Sequence, residues 1–321
     1  MTNYVGRRAI LGIAVEDTRG TAQTPDFWLP YRSVSIDDKA VAVVQDAAFG
    51  QLGDSDQTYI TKKYGEGDIE FDMDDLALGA ILTAVMGASP SSVGPTTFTH
   101  TYTLADTSNQ HKSLSILIQD PNGTTILPMS MIDTFEITVE PEGLVTCTVG
   151  FRSRKGKDWT TQTATFTTLG NKFLHQHLEF RVDTTITGLA TAGEIDLRGL
   201  TFTIEKAPVD WDDVGSVSAN DILNRQVSVS GHIDLAYGDR TWRDYFLKET
   251  SLAVEIFLSR ATNSSLKIQL PKVRFQTWEP SKDLDEIAVQ GIDFKAHYDA
   301  ANAQKIIHLC NLINTNDGSN Y

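Results

Sequence analysis

The sequence carries one order of segments twice, and this repeat limits the possible folds more than any other feature. In each half a glycine-led alternating segment is followed by a helical segment, an apolar strand, a Leu-Pro strand and a hairpin. The first series runs from Gly67 through Pro128, and the second runs from Gly231 through Pro271. Five segments seldom recur in one order by chance, so we expect two domains of similar fold.

Alternation of apolar and polar residues predicts strands along most of the chain. At positions 69–73 apolar residues alternate with Glu70 and Asp72, which indicates a strand with one apolar and one acidic face. The phase of the alternation changes at Pro271, where proline interrupts strand pairing. It changes again at Gly291, which predicts a β-bulge.

Helical patterns are few. Residues 74–87 begin with acidic side chains, are otherwise apolar and end at Gly87, which predicts a buried helix with defined ends. Residues 239–249 place Trp242, Tyr245 and Phe246 on one helical face. The acidic residues at 72–75 could also suggest a cation site, but capping of the following helix explains them better.

These patterns predict a mainly β protein with two tandem β-sandwich or partial-barrel domains, each with one flanking α-helix. We place the first domain at residues 1–155, a linker at 156–178, and the second domain with a C-terminal tail at 179–321. The segment between the two series, residues 152–173, opens with a basic run at 152–157, which we interpret as solvated or as contacting an acidic neighbour. Residues 88–112 occur only in the first series and are interpreted as a surface elaboration.

The chain is acidic throughout, with 27 basic and 42 acidic residues and a net charge of −15. Such a protein repels a phosphate backbone at long range, which argues against a nucleic-acid-gripping module. Solubility of the subunit is the simpler explanation of the charge. No segment approaches the ~20 apolar residues of a membrane helix, so we expect no membrane insertion.

No local motif marks a catalytic site, and we expect no enzyme activity and no cofactor. Cys147 and Cys310 fit buried apolar positions rather than a disulfide framework. His175 and His177 are predicted to lie on one face of a strand, with a spacing that metal sites use. No third ligand is near them in the sequence, so surface histidines are the better interpretation. The acidic run 210–213 could hold calcium, although an exposed acidic turn is the better interpretation.

Several motifs together resemble the phage tail tube protein family. The opening Glu16-x-Thr18-x-Gly20-Thr21 turn follows a short strand and precedes a proline-containing strand, as in that family. The resemblance continues through Gly65 to Glu70, the small-residue helix ending at Gly87, residues 98–102 and the hairpin from 132 to 151. It covers nearly the whole first series and, more faintly, the second.

The resemblance implies a structural virion protein of the tail, assembled in the host cytoplasm. In this family subunits join sheet edges into rings, and the rings stack into a tube that conducts DNA. A duplicated member implies trimeric rings with pseudo-sixfold symmetry. The implied partners are other copies of the chain, the tape measure protein, tail terminator and tip proteins, and double-stranded DNA in sequence-independent passage.

Two sets of residues are candidates for these contacts. The acidic side chains Glu70, Asp72 and Asp234 are predicted to face the lumen, where they would repel DNA. Residues 45–65 and 207–224 are predicted to be long loops that join one ring to the next. Their apolar anchors are Phe49, Leu52, Tyr59, Trp211, Val214 and Ile222.

Two other function classes stay open at this point. A two-domain β-sandwich could be a carbohydrate-binding or virion decoration module, which would expose clustered aromatic side chains on one face. An all-β hydrolase is the third interpretation, because a catalytic triad can assemble from distant positions.

Overall fold

The computed structural model is mainly β, as the alternating patterns predict, and describes residues 4–166, 170–281 and 287–321. The strands before residue 160 are β1 (Ile10–Val15), β2 (Phe27–Leu29), β3 (Tyr31–Asp46), β4 (Ser55–Asp72), β5 (Ser91–Val93), β6 (Phe98–Tyr102), β7 (Leu114–Asp120), β8 (Gly123–Val139), β9 (Thr146–Arg154) and β10 (Lys157–Asp158). The later strands are β11 (Leu178–Asp183), β12 (Gly199–Glu205), β13 (Pro208–Trp211), β14 (Asp221–Asn224), β15 (Ser228–Ala236), β16 (Leu252–Ala261), β17 (Ser264–Phe275), β18 (Glu279–Ser281), β19 (Val289–Ala296) and β20 (Leu309–Asn314). The helices are α1 (Ala77–Met86) and α2 (Thr241–Leu247), with short 3-10 turns at Gly6–Arg8, His175–His177 and Gly188–Ala190.

One antiparallel sheet, which we call the long sheet, runs through both halves of the chain. Its strand order is β3-β4-β9-β8-β12-β15-β19, and β18 and the end of β17 pair with the other side of β19. The halves meet where β8 pairs with β12, with Ile137 opposite Phe202. The margins of the long sheet are therefore β3 and β18, and within the described ranges β3 pairs only with β4.

The two halves use the same elements in the same order. Strands β3, β4, β7, β8 and β9 with α1 correspond to β12, β15, β16, β17 and β19 with α2. The pairings also correspond, since β4 lies between β3 and β9 as β15 lies between β12 and β19. This agreement is consistent with the predicted duplication.

Strands β8 and β17 connect the long sheet to a second layer. Each begins in that layer, pairing with β7 or β16, and ends in the long sheet beside β9 or β19. The apolar side chains between the layers form one continuous cluster that both halves share. The register shift opposite Leu252 and Val254 occurs where Pro271 predicts an interruption.

Helix α1 is buried along its whole length, and its ends follow the sequence signals. The Asp74 carboxylate accepts hydrogen bonds from the backbone N–H of Leu76 (3.1 Å) and Ala77 (2.8 Å). Gly87 ends the helix in the left-handed region, with φ of 83°. Asp74 thus caps this helix, as predicted, whereas Asp75 accepts hydrogen bonds from Asn171 and Asp72 pairs with Arg32.

Residues 88–112 are not the surface elaboration that the sequence suggests. Their strand β6 pairs with β20, with Tyr102 opposite Cys310, and β20 in turn pairs with β17. The side chains of His100 and Tyr102 are buried. The insertion therefore joins the two halves a second time, in the layer behind the long sheet.

Residues 45–65 are mostly strand, which corrects the predicted loop. Strands β3 and β4 continue as one hairpin to a connection at residues 47–54. We call residues 40–60 the arm, and every residue of it except Ala47 is exposed. The β-branched and aromatic residues on both sides of the turn favour pairing over a loop.

Residues 207–224 also form a hairpin rather than a loop, which we call the short hairpin. Its strands β13 and β14 pair with each other, with Val209 opposite Leu223. The short hairpin lies against the first half of the chain, whereas the arm extends away from it.

Two further predictions are wrong. No bulge occurs at Gly291, because β15 and β19 stay in register and Gln290 takes the core position instead. Its side-chain oxygen accepts a hydrogen bond from the indole N–H of Trp278 at 3.0 Å. His175 and His177 lie in a 3-10 turn and not on a strand.

The linker is attached to the first half along much of its length. Its strand β10 pairs with β8, and Phe173 is fully buried. Asn171 and Lys172 bind the carboxylates of Asp75 and Asp74. Residues 167–169 lie outside the described residues, and the domain limits themselves stay a prediction.

Candidate functional site

The long sheet has one apolar face and one polar face. Strand alternation places Ile69 and Phe71 in the core, so their neighbours Glu70 and Asp72 point the other way. Asp234 lies on the same polar face, opposite Gly199 of β12. All three residues predicted to be lumen-facing thus share a single surface that continues across the junction of the halves.

The polar face carries more carboxylates than cations. Its acidic members are Asp37, Glu66, Asp68, Glu70, Asp72, Glu136, Glu205, Asp234, Glu279 and Asp293. Its lysines and arginines are Arg32, Lys39, Lys62, Arg152, Arg154, Lys272, Arg274 and Lys295, and His232 and His297 lie on the same face. Asp68 and Glu205 have no ion-pair partner within the described part of the chain. Burial raises the pKa of nearby Asp133, and the charges of Glu205 and Asp68 add to this effect.

Part of the acidic charge on this face is neutralised locally. Arg32 lies 2.6 Å from the Asp72 carboxylate and 4.0 Å from that of Glu70. The Asp72 side chain is 27% exposed and that of Glu70 is 41% exposed. Glu70 is therefore the freer of the two charges.

His232 lies between two carboxylates of the polar face. Its Nδ1 is 2.7 Å from Asp293 and its Nε2 is 3.2 Å from Asp234. Partial burial lowers the pKa of His232, but the hydrogen bonds to Asp293 and Asp234 outweigh it and raise the pKa above its ordinary value. A hydrogen bond from the same imidazole lowers the pKa of Asp293.

The short hairpin rests on basic side chains of the first half. Arg152 donates two hydrogen bonds of 2.6 Å to Asp210, and Lys62 lies 2.7 Å from the same carboxylate. Arg154 donates to the backbone oxygen of Ala219 at 2.9 Å, and Arg19 pairs with Asp221. The basic run that begins at Arg152 thus meets an acidic neighbour within the same chain.

This contact also decides the role of the acidic run 210–213. Lys62 and Arg152 neutralise Asp210, and Lys62 also pairs with Asp212. The described residues contain no group of three or more side chains suited to hold a metal ion, so His175 and His177 form no such group there. The pairing partners of Asp210 could not be predicted, because Lys62 and Arg152 are far from it in sequence.

The predicted apolar anchors divide into two groups. Ile222 is fully buried against Met129, Met131 and Ala219 of its own chain, so it is not part of an exposed surface. The other five are exposed large hydrophobic residues: Phe49 (47%), Leu52 (106%), Tyr59 (52%), Trp211 (59%) and Val214 (109%). They lie in the arm and at the tip of the short hairpin.

Other features of the described residues give little support to alternative functions. Trp211 is exposed, whereas Trp28, Trp159, Trp242 and Trp278 are partly buried, so the tryptophans present no exposed cluster to a sugar. Cys147 and Cys310 are buried thiols, and burial raises the pKa of Cys310 to about 12. None of the described helices has the length and apolar character needed to cross a membrane.

Comparison with known proteins agrees with this architecture. A search of curated proteins finds no match to the chain. The sequence profile described as "Phage tail tube protein" matches residues 6–301, which is most of the chain. The mainly β fold with its polar sheet face thus belongs to a structural component of the virion tail, and the chain is a member of the phage tail tube protein family.

Proposed function

We propose that three copies of this chain form a ring, and that the rings stack into a tube around a DNA-conducting lumen. Each chain would contribute its two halves, so that a ring presents six similar units with pseudo-sixfold symmetry. The observation that carries the proposal is the pairing of β8 with β12, which joins two similar units into one sheet within a single chain.

The internal junction supplies a pattern for the junction between chains. When the two halves are compared, β18 corresponds to the part of β8 that pairs with β12. Strand β3 corresponds to β12. Antiparallel pairing of β18 with β3 of the next copy would repeat the internal junction and close the ring.

Closure in this way would direct the polar face of every copy towards the lumen. Glu70, Asp72 and Asp234 would then line the path of double-stranded DNA, which carries about one phosphate charge per 1.7 Å. Repulsion between the carboxylates and the phosphates would keep the duplex from binding to the wall. Passage would be independent of DNA sequence.

The exposed apolar residues at the hairpin tips are proposed to join subunits of successive rings. Phe49, Leu52 and Tyr59 of the arm and Trp211 and Val214 of the short hairpin form this set. Large apolar side chains that are exposed on a free subunit favour burial on a neighbour. Tape measure, terminator and tip proteins complete the proposed set of partners, with assembly in the host cytoplasm and without a cofactor or catalysis.

Electron microscopy of the purified protein tests the proposal. We expect rings or tubes with threefold symmetry and six units around a central channel, and mass measurement of single rings should give three chains. A ring of six chains would contradict the stoichiometry. Monomers that form neither rings nor tubes over a wide concentration range would contradict the assembly itself.

A further inference from the structure

A group of basic side chains lies at one end of the polar face, with one member exposed and three half-buried in the single chain. It consists of Lys272, Arg274, Lys295 and His297, and we call it the basic patch. Arg274 lies opposite Lys295 in the sheet, and the backbone N–H of His297 donates to the oxygen of Lys272 at 2.7 Å. Burial lowers the pKa of His297, and the charges of Lys295, Arg274 and Lys272 lower it further.

The basic patch has few acidic neighbours of its own. Arg274 lies 3.3 Å from the exposed carboxylate of Glu249. Within the ranges that the structure describes, Lys272 and Lys295 form no ion pair. Asp299 also lies near Lys272. Cations that outnumber the carboxylates around them repel one another, so a further acidic partner would stabilise the basic patch.

The corresponding surface of the first half is covered. Phe151 lies opposite Gly67 as Phe294 lies opposite Gly231, so Arg152 corresponds to Lys295. Arg152 is bound by Asp210 of the short hairpin. Met131, the neighbour of Arg152 across the sheet, contacts Ile222 of the same hairpin.

The arm is the first-half counterpart of the short hairpin, because it joins β3 to β4 as the short hairpin joins β12 to β15. Both hairpins are acidic. The short hairpin, residues 208–224, contains four aspartates and no lysine or arginine. The arm contains Asp46, Asp54 and Asp56 and likewise no lysine or arginine. In its own chain the arm extends past the long sheet and leaves the basic patch of that chain uncovered.

We infer that the arm of one copy lies across the basic patch of the next copy in the same ring. The internal contact of the short hairpin with Arg152 and Lys62 is the pattern, and opposite charge on the arm and the patch selects the partner. The inference depends on the proposed ring, because a second copy must stand beside β3. The apolar tip of the arm remains available for the ring above.

Cross-linking can detect this contact directly. A carbodiimide joins a carboxylate to an amine without a spacer, so assembled protein should give links between residues 40–60 and Lys272 or Lys295. Rings formed from equal amounts of light and heavy isotope-labelled chains should give these links in mixed-isotope form. Links found only within one chain, or from the arm to other lysines only, would overturn the inference.

Charge reversal gives the second test and separates the inference from the proposed ring. Lys272→Glu with Lys295→Glu should lower the assembled fraction at a fixed concentration by about tenfold or more, because like charges then face each other. Asp46→Lys with Asp56→Lys on the arm should restore assembly in the same chain. Arg240→Glu with Lys248→Glu, two exposed residues near α2, makes the same change in net charge and should leave assembly unchanged.

The outcomes are distinguishable. If the wild-type chain forms no rings, both the proposed function and this inference fail. If wild-type rings form and the patch variant assembles normally, the inference is wrong while the ring stands. Circular dichroism of each variant checks folding, and a folded patch variant that the arm variant does not rescue also contradicts the inference.

Discussion

Glu16 illustrates how a single buried carboxylate organises this chain. It is fully buried and accepts hydrogen bonds from the backbone N–H of Gly20 (2.6 Å) and Met129 (2.8 Å). The hydroxyls of Ser113 (2.6 Å) and Ser115 (2.9 Å) donate to it as well. The glutamate of the opening turn motif therefore fixes three separate segments to one another.

Replacing Glu16 should therefore be costly. Glu16→Ala leaves four donors without their acceptor, three of them on buried residues, and we expect the free energy of unfolding to fall by about 3 kcal/mol or more. Asp17→Ala, at the exposed neighbouring position, should change it by about 0.5 kcal/mol or less. Urea unfolding of both variants measures the difference, and equal effects would contradict this role of Glu16.

Lys206 directly follows β12, and its side chain is fully buried. Its Nζ donates to the backbone oxygen of Ala84 at 2.6 Å near the end of α1. Burial, with a smaller contribution from Arg19, lowers the pKa of Lys206 from 10.5 to about 7. The unfolded chain thus binds a proton between pH 7 and 10.5 that the folded chain gives up.

This pKa predicts a direction of pH dependence. Stability should rise with pH over that interval, because the unfolded state binds more protons there. Lys206→Met should remove this part of the rise and increase the free energy of unfolding at pH 7 by about 1–3 kcal/mol. Unfolding measured from pH 7 to 10 tests it, and a variant that keeps the wild-type slope would refute the assignment.

At the scale of residues the sequence predicts the core well where alternation is regular. Ile69, Phe71 and Met73 are all buried, as their spacing predicts. The prediction fails at Gly291, where the sequence favours Val289 as a core residue over Gln290. The buried amide is satisfied by Trp278, and such a distant partner leaves no local pattern in the sequence.

The arm contributes little to the stability of a single chain, because nearly all of its residues are exposed. Replacing residues 44–58 by Asn-Gly would join Val43 to Tyr59, which are opposite each other, through a tight turn. Because the removed residues are nearly all exposed, the free energy of unfolding should change by less than about 1 kcal/mol. Tube elongation should nevertheless be lost, and electron microscopy would show single rings or free subunits.

A normal yield of tubes from the shortened chain would contradict a role of the arm in assembly. A matched control replaces Asn122-Gly123 at the β7–β8 turn by Gly-Gly, which alters an exposed turn outside the long sheet. That variant should assemble as the wild type does. The comparison separates loss of the arm from a general effect of altered turns.

Strand β6 is predicted to hold the two halves together. It has partners on both sides, since Thr101 lies opposite Ser91 of β5 and Asn311 of β20. Thr101→Pro removes a backbone donor from this central position and should cost at least about 2 kcal/mol. Thr101→Val keeps the N–H and the branched shape, and thermal unfolding of the two variants should differ clearly.

At the scale of elements the sequence predicts which helices and strands form better than it predicts which strands pair. Both helices and most strands lie where the patterns place them, but residues 45–65 and 207–224 are hairpins instead of loops. Cross-strand pairs stabilise these hairpins. The segments are nevertheless rich in glycine, serine and aspartate, and this composition led to the prediction of loops. The role of residues 88–112 depends on β20, about 200 residues away, and no local signal connects the two.

For the whole molecule the main result is that two similar units share one sheet. The sequence predicts two units in tandem, but the β8–β12 pairing that unites them has no signature in either half. Sheet margins become visible only once the pairings are known. The residues of the candidate assembly surfaces could therefore be predicted from the sequence, but their positions relative to the sheet margins could not.

The proposed lumen can be tested through its charge. Glu70→Lys with Asp234→Lys should leave tubes intact, because both side chains are partly exposed, and should slow DNA release from particles built with this chain. Asp17→Lys with Asp158→Lys makes the same change in charge outside the long sheet and should release DNA normally. Equal release rates for the two variants, measured by dye binding to emerging DNA, would contradict the lumen assignment.

The pairing of β6 with β20 has a consequence for how the chain is made. A ribosome adds about 5–20 residues per second, so β20 emerges roughly 10 to 40 s after β6. During that time the first half has an unpaired sheet edge and incomplete cover over α1. A nascent chain is therefore unable to finish its first half alone, and a chain broken off before residue 309 lacks the strand that completes it. We therefore predict that chains truncated before β20 fold incompletely and do not assemble.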